Sequence, residues 1–255
     1  MTRLNTLYIL LAVSFKSKKQ INMVILLCLC YSVGMNRRNY QKELERIIRT
    51  RGNKMPRVLL HCCCAPCASS VLEYLTQYFQ VTVLWYNPNL YPQSEFDRRF
   101  KALVELIEKM GLADKVDILA EPWKNQDYLR RVKGLEDEPE GGLRCTECFR
   151  VRLLETAKLC KHYGYDYFCS TLTLSRHKNA ELINDIGEEL ARASGTSWLP
   201  SDFKKRDGEN RSIELCEEHG IYRQLYCGCE YSMRRRIEVG ESMGQSPSES
   251  TGGAV

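Results

Sequence analysis

Four thiols crowd into the turn between an apolar run and an amphipathic one. The stretch reads His61-Cys62-Cys63-Cys64-Ala65-Pro66-Cys67. Before it, Val58-Leu59-Leu60 is a short apolar run that reads as a buried strand. After it, Val71, Leu72, Leu75 and Phe79 recur at helical spacing over residues 69–80. A strand-to-helix turn collects backbone N–H groups and the positive end of the helix dipole, and both favour thiolate over thiol. Thiolates are what metals bind and what redox chemistry uses. One buried cysteine is usually a small core residue, but four in six positions fill space poorly and oxidise easily.

Strand and helix patterns alternate through the rest of the chain. Strands are expected at 58–61, 81–86, 116–119 and 165–170. Helices are expected at 94–110, 127–132, 145–163 and 179–193, and the chain beyond Trp198 reads as less regular. This alternation predicts an α/β domain with a parallel sheet covered on both faces. Ligands of such sheets sit at the carboxyl ends of the strands. The cysteine turn and the Thr171-Leu172-Thr173-Leu174-Ser175 stretch after strand four should both face that edge. The domain is expected over 56–236, behind a polar helical arm at 35–55 and ahead of a disordered tail at 237–255. Residues 1–34 hold two apolar runs split by Lys16, Lys18 and Lys19. Neither run reaches the roughly 18–20 residues of a membrane span. We read 1–34 as a doubtful leader, with translation starting at Met35, and expect no membrane partner.

Composition narrows the class. Hydrophobic content of 44% and charged content of 27% suit an ordinary globular chain, and a net charge of +5 permits a nucleic acid partner without requiring one. Thirteen cysteines in 255 residues exceed ordinary usage. They fall in doublets and short pairs within a helix-rich pattern, which suits metal or redox work in a reducing, cytoplasmic setting better than a secreted disulfide framework. Three groups stand out: Cys63-Cys64-Ala65-Pro66-Cys67, Cys145-x-x-Cys148 and Cys227-Gly228-Cys229. One zinc takes four ligands, so seven thiols are too many for it. A cubane iron–sulfur cluster takes four thiolates and leaves three for a second iron or a dithiol. Cys62, Cys160, Cys169 and Cys216 lie in apolar or helical contexts and read as structural.

The motifs His61-x-Cys63-Cys64-Ala65-Pro66-Cys67, Arg144-Cys145-x-x-Cys148-Phe149, Ser170-Thr171-Leu172-x-x-Ser175-x-x-Lys178-Asn179 and Tyr222-Arg223-Gln224-x-Tyr226-Cys227-Gly228-Cys229 resemble the QueH-type epoxyqueuosine reductases. The resemblance runs from about Pro56 to Met233. It implies reduction of the epoxide of epoxyqueuosine in tRNA to queuosine, with a 4Fe–4S cluster, an external electron donor and no cobalamin. It implies Cys63, Cys64, Cys145 and Cys148 as cluster ligands. Cys227 and Cys229 match the family's second pair, either a redox-active disulfide or ligands of an adjacent mononuclear iron. Cys67 stands where some members carry Asp, a swap that fits a metal ligand. Cys67, Cys227 and Cys229 are then the catalytic set. A short Cys-x-Cys ring is strained, which makes its disulfide easy to reduce.

The sheet pattern also resembles the Rossmann-like PP-loop (HUP-like) enzymes that modify tRNA. Those hold ATP with a Gly-rich loop after strand one. Cys-Cys-Cys-Ala-Pro-Cys has no glycine there, so the fold is expected without ATP. A zinc-binding nucleic acid module is the non-enzyme alternative; it would be colourless where an iron–sulfur protein is brown. Further candidates for substrate contact are Thr171, Ser175, Lys178, Asp202 and Lys204, with Arg234-Arg235-Arg236 reading as a phosphate contact. Tyr86 and the 87–92 loop read as a turn, and His61 as a packed strand end. A chain shortened to begin at Met35 is expected to fold and take up iron as the full chain does. Lost solubility or lost iron would make residues 1–34 structural.

Overall fold

The computed structural model describes residues 38–238 and 240. The leader at 1–34 and the tail residues 239 and 241–255 lie outside the described residues. Four strands form one sheet: β1 (Arg57–His61), β2 (Gln80–Trp85), β3 (Val116–Ala120) and β4 (Tyr167–Ser170). All pair in parallel, in the order β3-β2-β1-β4. Val58, Leu59, Leu60 and Val83 are fully buried, as strands covered on both faces require. The helices are α1 (Tyr40–Thr50), α2 (Ala65–Leu75), α3 (Gln93–Lys109), α4 (Asn125–Arg131), α5 (Leu143–Tyr163), α6 (Ala180–Ser194), α7 (Gly208–Glu218) and α8 (Glu230–Glu238). No helix among the described residues is long and apolar enough to cross a membrane.

Register decides what meets at the carboxyl edge. His61, the last residue of β1, lies opposite Leu84 of β2 and Ser170 of β4. The connection from β1 leads through α2 to β2 on one side, whereas β4 lies on the other. Strand order therefore reverses between β1 and β4, and this is where a doubly covered parallel sheet opens a crevice. The cysteine turn leaves β1 on one lip of it. A 3₁₀ turn (Thr171–Leu174) leaves β4 on the other.

Two elements differ from the sequence reading. Helix α2 begins at Ala65, where the spacing alone predicts a start near 69. Cys64 takes the N-cap position with extended backbone, and Pro66 stands in the first turn, where its missing N–H costs nothing. Cys67 is thus a helical residue, and the turn proper holds Cys62, Cys63 and Cys64. The chain beyond Trp198 is also more regular than its pattern suggests, since it holds α7 and α8. Only Ser212, Leu215 and Cys216 of α7 are buried, too few for a clear period. Tertiary bonds supply what periodicity lacks. Ser70 Oγ donates to the Gly208 carbonyl at 2.8 Å, Ser212 Oγ donates to the Pro66 carbonyl, and Arg211 pairs with Glu73 at 2.7 Å. At the other end, α1 docks through buried Leu44, and Glu45 pairs with Arg206 at 2.9 Å.

The 3₁₀ turn is buttressed from α6. Asn184 Oδ1 accepts from Trp198 Nε1 at 2.8 Å and from the Ser201 N–H at 3.0 Å, and Ser201 Oγ lies 3.3 Å from Thr173 Oγ1. Gly187 faces the Trp198 indole so closely that a methyl group there would overlap the ring. Gly→Ala in an open helix gains about 1 kcal/mol. Here overpacking dominates, and Gly187→Ala is expected to cost about 1–3 kcal/mol in urea unfolding. An unchanged or higher unfolding midpoint would show that Trp198 can move aside.

Candidate metal centre

The cysteine turn brings three sulfurs together. The Sγ atoms of Cys63, Cys64 and Cys67 all lie within 4.8 Å of one another, with Cys63 and Cys64 3.7 Å apart. Thr171 Oγ1, from the lip beyond β4, accepts the Cys63 N–H at 3.2 Å and donates to Cys63 Sγ at 3.3 Å. Gln224 Nε2 donates to Cys64 Sγ at 3.0 Å. Cys62 stands apart, fully buried in the core, with its S–H on the Cys64 carbonyl at 3.4 Å. Hydrogen bonds from Cys64 and then Cys67 hold the Cys63 thiol well below its ordinary pKa, and Lys178 adds to the effect. The same bonds push Cys64 up to about 12 and raise Cys67 as well. The three sulfurs therefore favour thiolate unequally, Cys63 most. Three thiolates at this spacing need a cation between them, which is the condition of a metal site.

A second group forms where α5 begins. Cys145 and Cys148 lie in its first two turns, behind Gly142 at the N-cap. Cys145 Sγ accepts the Gly141 N–H at 3.2 Å. Cys148 packs with Cys229 against Tyr128 and Val132, and burial pushes its thiol up to about 12. Cys227 and Cys229 lie within electrostatic reach of both Cys145 and Cys148. Cys227 is also felt at Lys178, together with Cys63, Cys67 and Cys64. It is the thiol common to both neighbourhoods. The four cysteines that the family resemblance assigns to one cluster are divided here, two in each group.

The Cys227-Gly228-Cys229 loop is clamped from α3. Arg99 donates to the carbonyls of Cys227 at 3.1 Å and Tyr226 at 3.2 Å, and pairs with Glu95 at 2.7 Å. Tyr222 OH donates to Glu95 Oε1 at 3.1 Å. Gly228 has φ +117°, and its carbonyl accepts the Tyr91 N–H at 2.9 Å. A side chain there would be strained and would run into Leu90 and Arg99.

A cavity of roughly 810 Å³ opens at this edge, lined by Cys63, Cys64, Cys67 and Cys227. Of the expected substrate contacts, Ser175 and Lys178 line it, and Thr171 lies buried behind Cys63. Asp202 and Lys204 pair with each other at 2.8 Å and are not among the residues lining it. Arg235 and Arg236 reach the wall, whereas Arg234 pairs with Glu230 in its own helix. Tyr86 is buried beneath, and Asn87 Nδ2 supports the cysteine turn by donating to the Cys62 carbonyl at 2.8 Å. His61 is buried too.

Three residues without an assigned role in the sequence reading belong to this site. Arg99 clamps the loop, Gln224 touches Cys64, and Arg152 donates to Cys148 Sγ at 3.3 Å. Gln224 Oε1 is buried without a hydrogen-bond partner among the described residues. Arg152 had a signal in the spacing: it lies four positions after Cys148, on the stripe of α5 that also buries Phe149, Leu153 and Thr156. Replacing Gly228 by Ala is expected to lift the clamped loop and speed alkylation of Cys227 by iodoacetamide at least several-fold, with folding retained. Labelling at the wild-type rate would show that the loop absorbs the methyl group.

Comparison with known proteins places these features in a family. The sequence model of the epoxyqueuosine reductase QueH family matches residues 58–235. The chain is 42% identical to the epoxyqueuosine reductase QueH of Streptococcus pyogenes, over 77% of this chain and 78% of that one. It is 44% identical to that of Staphylococcus epidermidis, over 78% and 86% of the two chains. With that of Thermotoga maritima it shares 32% identity, over 72% of this chain and 94% of the relative. The matched stretch runs from β1 into α8 and contains every thiol of both groups. The chain belongs to the QueH family of epoxyqueuosine reductases.

Proposed function

We infer that this protein reduces the epoxide of epoxyqueuosine in tRNA to the alkene of queuosine. The observation that carries the reading is the meeting of the Cys63, Cys64 and Cys67 trio with Cys227 at one cavity on the carboxyl edge of the sheet, whose wall also carries Lys178 and several arginines. Removing the epoxide oxygen as water takes two electrons and two protons. We assign a 4Fe–4S cluster to Cys63, Cys64, Cys145 and Cys148, with Cys67, Cys227 and Cys229 as the catalytic set beside it, either a second iron site or a dithiol. When bound, the iron–sulfur group supplies single electrons from an external donor. Buried, hydrogen-bonded sulfurs suit such a group, since the three thiols of the cysteine turn cannot all ionise without a cation among them.

The chain's own residues bind, orient and exclude water. Lys178 keeps its proton: burial works against its ammonium, but Cys227, Cys63, Cys67 and Cys64 outweigh it and hold its pKa above the ordinary value. It can hydrogen-bond the departing oxygen from the cavity wall. Gln224 Oε1 offers an acceptor to a substrate hydroxyl or N–H. Arg176, Arg223, Arg235 and Arg236 line the mouth and suit tRNA phosphates. The strand order, with its crevice beside β1, supports a Rossmann-like, PP-loop (HUP-like) lineage for a single domain over 56–236. In place of a phosphate-cradling glycine loop it carries a cysteine turn, so no ATP is assigned, and no cobalamin. Free thiols at every described cysteine suit the reducing cytoplasm.

One observation favours a second partition. Cys148 and Cys229 share one packed cluster, and Cys63, Cys64 and Cys67 form a trio of their own. The cluster would then sit on Cys145, Cys148, Cys227 and Cys229, with a single iron on the trio. Cys145→Ala should lose the cluster in either case. Under the first assignment Cys227→Ser keeps the brown colour, iron and sulfide but loses turnover of epoxyqueuosine in tRNA, with tRNA affinity little changed. A colourless Cys227→Ser would establish the second partition, and an active one would leave the pair a structural role only. Anaerobic preparations assayed for iron, sulfide, tRNA affinity and turnover decide among these.

A further inference from the structure

Arg152 is a buried cation without a carboxylate. It is 2% exposed. Its Nε and Nη2 donate to the Cys148 carbonyl at 3.0 Å and to Cys148 Sγ at 3.3 Å. Its guanidinium lies 5.6 Å from the Phe149 ring centre, and it reaches the cavity wall. Among the described residues no Asp or Glu comes within ion-pair distance of it. Arg99, equally buried, has Glu95 at 2.7 Å. The ionisable groups whose fields act on Arg152 are Cys148, Cys227, Cys63 and Tyr128, from four different segments of the chain, and they favour its charge against burial. His61 also lies within its field and is neutral.

Withdrawing a guanidinium from water costs several kcal/mol unless an anion offsets it. Cys148 sulfur and a phenol are poor anions on their own. The position is fully offset only when several of the sulfurs around it carry charge, as they do when they ligate metal. We propose that Arg152 is the fixed counter-charge of the iron–sulfur group, a positioning residue that stabilises the loaded site and its reduced form. The proposal rests on the reading that these thiols hold such a group.

Two consequences follow from electrostatics. In the metal-free protein the buried charge of Arg152 is only partly compensated by its thiol neighbours. In the loaded protein it is an asset. Reduction adds a negative charge to the group, so a nearby cation favours the reduced form and raises the potential.

The test uses the full chain as wild type, Arg152→Met and Arg152→Lys, before and after anaerobic reconstitution with iron and sulfide. Met matches the length and apolar packing of the stem without charge. Expected is a change of sign: Arg152→Met melts higher than wild type when metal-free and lower when loaded. At a fixed potential its ratio of reduced to oxidised group should fall about tenfold, equal to about 59 mV for one electron. Arg152→Lys should move that ratio less than Met does. A lower melting temperature for Arg152→Met in both forms would make Arg152 a packing residue and overturn the proposal, as would an unmoved potential. If Arg152→Met takes up no iron, its metal-free melting temperature decides: a rise supports the proposal and a fall overturns it. Wild type that binds neither iron nor sulfide would overturn the iron–sulfur reading and this proposal with it, an outcome read on wild type alone.

Discussion

His61 ties three strand ends together where the cysteine turn begins. Its ring is fully buried between Ser170 Oγ at 2.8 Å and the Tyr86 carbonyl at 3.2 Å. A carbonyl only accepts, so Nε2 carries the proton and Nδ1 accepts from the Ser170 hydroxyl. Ser170 Oγ then receives the Leu172 N–H at 3.2 Å and starts the 3₁₀ turn. One neutral imidazole thus links β1 to the segments that leave β2 and β4. Burial is the main reason that its pKa falls to about 3, and Arg152 adds to it. The ring therefore stays neutral at neutral pH, with both of its nitrogens engaged in hydrogen bonds. Its work is to hold the cysteine lip against Thr171, whose hydroxyl bonds both the nitrogen and the sulfur of Cys63.

Much of this was legible in the residues. Apolar runs such as Val58-Leu59-Leu60 and Val81-Thr82-Val83-Leu84 give the strands, and their alternation with helical periods gives a parallel sheet. That class of sheet sends its ligands to the carboxyl edge, which places the cysteine turn and Thr171 together. Spacing was silent where tertiary contact overrode it. Helix α2 starts early because Pro66 is tolerated only in a first turn, and a period count cannot see that. Helix α7 buries few side chains and is held by Ser70, Ser212 and Arg211 bonds to other segments. No local pattern announces bonds of that kind.

The site was legible in part for the same reason. Thiols cluster in sequence and so declare themselves one by one. Which sulfurs share a neighbourhood depends on how α5, the 227–229 loop and β1 are packed, and that is a property of the fold. Cys63 and Cys148 lie far apart in the chain, yet the fields of both act on Arg152. Gln224 was visible as a letter in a motif, but its bond to Cys64 spans much of the domain.

The two buried arginines show how the surroundings set the meaning of a charge. Arg99 is compensated: Glu95 neutralises it, two carbonyls each accept from one of its terminal nitrogens, and the Tyr226 ring lies 5.0 Å from its guanidinium carbon. Such a residue fixes backbone, and what it fixes is the loop that carries Cys227. Arg152 has the same burial and the same chemistry, but its partners are a carbonyl, a sulfur and an aromatic ring. Buried ion pairs usually come near to breaking even, whereas a lone buried charge is a large cost that folding alone does not offset. A fold that retains Arg152 among thiols is therefore built around the charge those thiols acquire. Lys178 adds to the argument from the other lip, since Cys227 and Cys63 lie within the field of its ammonium as well. Cations from α5 and from the segment after β4 thus converge on the one cavity that Cys63, Cys64, Cys67 and Cys227 line.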